Sequence, residues 1–274
     1  MSTHESERGQ ILLVTLLVLS VATTIALSLI GRTTTDTNIT NQVTESSVAF
    51  SAAEAGLEEA LQSGGAVAGL LSPGVNYAVT QTSIGGSTGI YTFPERTDRG
   101  ETATLWLANH LPGGGLDEDR SNDYADGLIK VCWSTDAGVP AIIATLLYKV
   151  GATYRVGRAA YDSNTVAHGN NFTVPGPLGT NCGAQDAYAA TITFSDLGYQ
   201  PSNTLLALRL RPVYSATQLY VDATRPLPKQ GNIFTSTGTT DSGLTRKISV
   251  RELYRAPESI FDYVIYSQNG PFGP

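Results

Sequence analysis

Residues Ile11 to Ile30 read ILLVTLLVLSVATTIALSLI, twenty positions without a charge, a proline or a glycine. At about 1.5 Å of rise per residue such a run makes a helix of about 30 Å, the thickness of a bilayer's hydrocarbon core. Helices buried in soluble proteins seldom run this far without a polar face. The segment is therefore expected to insert in a membrane. A cleaved secretory signal is the rival reading, and it needs a basic start, a shorter apolar stretch and a small-residue cleavage site. Here the start, THESER, is mixed in charge, and GRTTTDTNITNQ after the stretch offers no Ala-x-Ala site. Arg8 before the segment and Arg32 after it orient it only weakly. The stronger guide is the load on each side: a short polar stretch precedes the segment and the bulk of the chain follows it.

The helical pattern does not stop at the membrane. Gln10 to Ser63 contains no proline, and Gly31 and Gly56 are its only glycines. Val43, Phe50 and Leu57 recur every seven residues, with Ser47, Ala53 or Glu54, and Ala60 or Leu61 filling the turns between them. Glu45, Glu54, Glu58 and Glu59 fall mostly off this stripe, as on a helix with one packed face. Gly64-Gly65 ends the pattern. Thr33 to Thr40 is poor helix material, so a kink or loosening is expected there. A helix of about 50 residues would be about 80 Å long, its first half in lipid and its second half packed on a domain. Val43, Phe50 and Leu57 are the residues expected to make that contact.

Four features together resemble a type IV pilin: a short polar leader ending in Arg8-Gly9, an apolar stretch starting at once, an amphipathic continuation, and the segment AAEAGLEEAL preceded by Val48-Ala49-Phe50. The last is similar to minor pilins of the PilX type and to the large tip pseudopilins of type II secretion. The likeness covers about residues 8 to 62. It implies a leader over residues 1–9, trimmed by a prepilin peptidase between Gly9 and Gln10, and partnership with other pilins through the helix. One departure matters. Major pilins carry a glutamate at the fifth mature position, where it pairs with a neighbour's terminal amine; here that position is Val14. An unpaired amine in lipid is costly. The chain thus suits a minor subunit at a tip or priming complex rather than a bulk filament subunit; the plainer alternative is a simple membrane anchor.

After Gly65 the text changes to apolar or alternating runs separated by Gly, Pro, Asn and Asp. Expected strands are 75–82, 89–93, 102–108, 128–133, 141–150, 153–161, 189–194, 204–212, 218–222, 232–236, 245–254 and 262–266. Leu206, Leu208 and Leu210 alternate with Ala207, Arg209 and Arg211. The expected fold class is α+β: a long helix, residues 10–63 with its transmembrane part at 11–30, packed on one extracytoplasmic, mainly antiparallel β-rich domain over 64–274. The stretch NIFTSTGTTDSGLTRKISVREL reads as strand, Gly-rich turn, strand, and resembles the closing hairpin of large minor pilins. Residues 260–263 are expected in a terminal strand.

Residues that carry chemistry are sparse. Cys132 and Cys182 are the only cysteines. Export to an oxidising side favours a bridge between them, against the alternative of two separate thiols. Asp117, Asp119, Asp123 and Asp126, in DEDRSNDYAD, could offer oxygen ligands to calcium, but their spacing is not that of an EF-hand, and a solvated loop is the simpler reading. His4, His110 and His168 fall in no metal or triad pattern, and no Gly-x-Ser-x-Gly, phosphate loop or dinucleotide fingerprint occurs. Arg246, Lys247, Arg251 and Arg255 make a modestly basic strand. A net charge of −7 disfavours nucleic acid as a general partner. The chain is thus expected to be no enzyme, with no metal or cofactor. Its expected function is that of a minor pilin-like subunit acting in filament initiation, tip assembly or surface display. Its partners would be other pilins, the prepilin peptidase, membrane lipid and a surface or cell target. The alternative is a single-span surface protein whose β domain binds a target outside any filament.

Overall fold

A computed structural model describes residues 6–263 apart from 113, 121–122 and 136–137. In chain order it comprises helix α1 (Ser6–Ser63) and strands β1 (Ala68–Ser72), β2 (Val75–Gly85), β3 (Gly89–Thr92), β4 (Ala103–Trp106), β5 (Leu128–Ser134), β6 (Ala141–Val150) and β7 (Thr153–Tyr161). A short helix α2 (Thr165–His168) precedes β8 (Gly179–Asn181), β9 (Ala184–Thr193), β10 (Thr204–Val213), β11 (Leu219–Ala223), β12 (Lys229–Thr239) and β13 (Thr245–Leu253). The class is α+β, a long N-terminal apolar helix packed on an antiparallel β-rich part.

The chain divides into one unit of Met1–Gln81 with Phe234–Val250, and a second of Thr82–Ile233 with Arg251–Pro274. In the first, α1 lies with a sheet of strand order β1-β2-β12-β13. Thr80 Oγ1 donates to the carbonyl of Thr235 at 3.4 Å across 155 residues of sequence. Leu57, Ala60, Val79 and Phe234 form the core of this unit, with Val67, Ile248 and Val250 around it.

The second unit holds two sheets, β4-β10-β6-β7 and β3-β11-β5-β9-β8. Alternation along each strand sends one face inward: Leu208 and Leu210 of β10 and Ile142, Ala144 and Leu146 of β6 meet Ile129, Val131 and Trp133 of β5 and Leu219 and Val221 of β11 in one core. β6 and β7 join through a two-residue turn, Val150 opposite Thr153. Gly151 takes φ 58° there, a left-handed conformation that a residue with a Cβ adopts only at a cost.

Three expectations give way. Thr33 to Thr40 stays in continuous helix. Thr33, Thr34, Thr35, Thr37 and Thr40 each donate a side-chain hydrogen bond to a carbonyl one turn back, which satisfies the hydroxyls without opening the helix. The expected terminal strand is instead a 3-10 turn, Ser259–Tyr263, because the carboxylate of Asp262 is drawn to Arg209; residues 264–266 of that strand lie outside the described residues. Val43 and Phe50 do not pack on the sheet: they are 64% and 46% exposed, whereas Leu57 is buried. The seat is cut for small residues, and it takes the neighbouring stripe of Ala49, Ala52, Ala53, Gly56 and Ala60.

Candidate functional site: the exposed apolar helix

Within α1 the large apolar residues from Ile11 to Ile30 are exposed on every side. Four of the five hydroxyls among them are turned inward to the backbone. Thr15 donates to Ile11 and Leu12 carbonyls, Ser20 to Leu17, Thr23 to Leu19 and Thr24 to Ser20. In lipid an unsatisfied hydroxyl or peptide group is penalised by several kcal/mol, so this self-bonding leaves an apolar cylinder. Among the described residues it is the one helix long and apolar enough to cross a membrane, and none of that stretch is buried against the rest of the chain. Gly9 and Gln10 fall in the early turns of α1. Val14, exposed, brings no carboxylate to the cylinder.

The second half of α1 is held by close approach. The Gly56 Cα faces Tyr77 and Ser236, where an added Cβ would sit 2.5 Å from the Tyr77 ring. Polar contacts bound the seat: Tyr77 donates its hydroxyl to Glu59, Ser242 donates to Glu45, and Arg246 Nε donates to Ser46 Oγ at 2.7 Å. Outside this seat Ile39 and Val43 border a groove with Leu244 and Arg246.

The other residues singled out in the sequence are dispersed. Cys132 of β5 and Cys182, after β8, form a disulfide with Cα atoms 6.1 Å apart, both buried. The acidic run is committed to local structure: Asp117 accepts the Asp119 N–H, Asp123 accepts the Leu205 N–H, and Asp126 accepts the Gly127 N–H and the Thr224 hydroxyl. Burial pushes the Asp123 carboxyl up to about 6, against the pull of the Leu205 hydrogen bond. Among the described residues no group of three or more His, Cys, Asp or Glu is placed to hold a metal. His168 Nδ1 lies 2.7 Å from the buried carboxylate of Asp162, and His110 stacks on Tyr254; His4 lies outside the described residues. Lys247, Arg251 and Arg255 are exposed, with Arg246 at the helix seat.

Two arrangements were not legible in the sequence. Arg209 is buried and uses all five of its N–H donors, on Asp262 twice, Thr104, and the carbonyls of Pro257 and Glu258. Its one signal was that it is one of two charges, with Arg211, in a largely apolar strand. Gln230, also buried, binds the backbone of Trp106 through its carboxamide, and nothing in its sequence setting marks it. No family model and no curated protein matches this chain.

Proposed function

We propose that this protein is a membrane-anchored, pilin-like structural subunit, of the kind that initiates or tips a type IV pilus or a related secretion pseudopilus. The observation that carries the reading is the helix: a bare apolar cylinder over Ile11–Ile30, continuous with a second half seated on a small sheet. A cylinder with most of its hydroxyls self-satisfied is suited to lipid before assembly and to neighbouring apolar helices after it. Cutting between Gly9 and Gln10 by a prepilin peptidase would place a free amine at the start of that cylinder. With Val14 at the fifth position the chain itself brings no acid to a neighbour's amine, which fits a subunit with none stacked above it. The chain spans the membrane once, with the β-rich units outside the cytoplasm, and its work is helix packing and surface display rather than bond chemistry.

The test is mass spectrometry of the mature N-terminus in cells with and without the peptidase, joined to co-purification from the membrane. A terminus at Gln10 and recovery of other pilins support the reading. An intact terminus with no pilin recovered would assign the chain instead to uncleaved, single-span surface proteins.

A further inference from the structure

The second unit carries a cleft of about 450 Å³. It opens beside two edge strands, β3, which pairs with β11, and β4, which pairs with β10. Tyr91, Phe93, Ala103, Thr104, Trp106 and Tyr254 are among its lining residues.

The aromatic wall is fixed from behind. The Gln230 carboxamide accepts the Trp106 N–H at 2.8 Å and donates to the Trp106 carbonyl at 2.8 Å and to Pro228 at 2.7 Å. It thus occupies the free edge of β4 as a paired strand would. The backbone carbonyl of the same residue accepts the Tyr254 N–H at 3.2 Å. The His110 ring stacks on Tyr254 with centroids 3.7 Å apart and meets Trp106 edge-on at 4.7 Å. Burial lowers the affinity of this imidazole for a proton, so it backs the wall as a neutral ring.

The rim is acidic. Glu95, Asp98 and Glu101 line the cleft, all exposed, and Glu101 accepts the Ser259 hydroxyl at 3.1 Å. Arg96 is the one basic residue of the lining among the described residues, and its Nη2 donates to the Ala216 carbonyl at 3.2 Å. Three carboxylates against one anchored guanidinium repel an anion. Beside the partly exposed rings of Tyr91 and Tyr254 they favour positive charge by direct attraction, to which an open ring face would add. A neutral sugar would use the rings and gain nothing from the charge.

We infer that this cleft binds an organic cation, an alkylammonium or guanidinium group, presented either by a free amine or by a lysine or arginine side chain. The residues involved all belong to the second unit, so the inference stands apart from N-terminal processing.

The test uses the full chain in detergent micelles and its tryptophan fluorescence, since Trp106 lines the cleft and Trp133 is wholly buried. The probes are choline, its neutral isostere 3,3-dimethylbutanol, and the Nα-acetyl amides of lysine and arginine. A cationic probe is expected to bind at least about tenfold tighter than the isostere, and to weaken as salt is added. The double variant Glu95→Gln/Asp98→Asn should lose about five- to tenfold in affinity with its melting point unchanged. Tighter binding of the amides than of choline assigns a protein side chain, and the reverse order assigns a free amine. Equal binding of choline and its isostere, undiminished binding by the double variant, or no saturable signal from any cationic probe overturns the inference.

Discussion

Gly238 of β12 touches the backbone of α1 at Ala49: a Cβ at residue 238 would sit 1.9 Å from the Ala49 carbonyl oxygen and 2.7 Å from the Ala53 nitrogen. Both neighbours are main-chain atoms, which cannot rotate away as a side chain can. Gly238→Ala is therefore expected to push strand and helix apart, at about 1–3 kcal/mol or more for overpacking. Thermal melts of the full chain in detergent check this, and an unchanged melting point would contradict the close seat.

The same seat separates two apolar residues of one helical stripe. Leu57 is buried with Val79 and Phe234, whereas Phe50 is nearly half exposed. Leu57→Ala should cost about 2–5 kcal/mol. Phe50→Ala should leave the melting point within about 1 kcal/mol of the parent. Should Phe50 pack against other subunits, its loss will appear in assembly yield and not in the melt.

Alkylation of the native protein without reductant should label neither Cys132 nor Cys182. The bridge ties positions 50 residues apart. On the chain-entropy model this restrains the unfolded state by about 4 kcal/mol. A Cys132→Ala/Cys182→Ala variant should melt correspondingly lower.

Asp123 gives a pH dependence of definite sign. Its folded-state pKa of about 6 exceeds its ordinary value of 3.8, with burial the first cause. A carboxyl so raised contributes stability that is full below about pH 4 and lost as pH rises through about 6. Asp123→Asn keeps an acceptor for the Leu205 N–H and has no charge to bury. Its melting point should exceed the parent's at about pH 7, and the gap should close towards about pH 4. A gap that stays constant across that range would show that the carboxyl does not titrate in this way.

Much of the β architecture was legible because alternation marks a strand with one buried face. β6 and β7 fall where the pattern put them, Ala141–Val150 and Thr153–Tyr161. β1 and β8 were missed: AGLLS and GTN are short, contain glycine and show no alternation. The helix stripe was misjudged for a physical reason. Large apolar residues at heptad spacing mark a packed face only where the partner leaves room, and Gly238 leaves room for little more than the Ala49 backbone. Division into two units was hidden because β2, β12 and β13 each run past a unit boundary, so no break in composition marks it. The cleft was hidden too, since Gln230 and Trp106 meet across 124 residues.

The pairing of Thr80 with Thr235 sets an order of events during synthesis. The apolar cylinder, long enough to cross a bilayer, leaves the ribosome ahead of the strands. The segment that completes its seat, Phe234–Val250, follows only after Thr82–Ile233 of the second unit. Meanwhile β2 has an open edge, and Leu57 and Val79 lack Phe234. Such a distant pairing is slow to close, and an open strand edge invites the wrong neighbour. The nascent chain thus passes through an interval in which most of the second unit, Thr82–Ile233, has been made while the helix still waits for its seat. A chaperone that covers open strand edges would act on that interval, and truncations before residue 234 would prolong it.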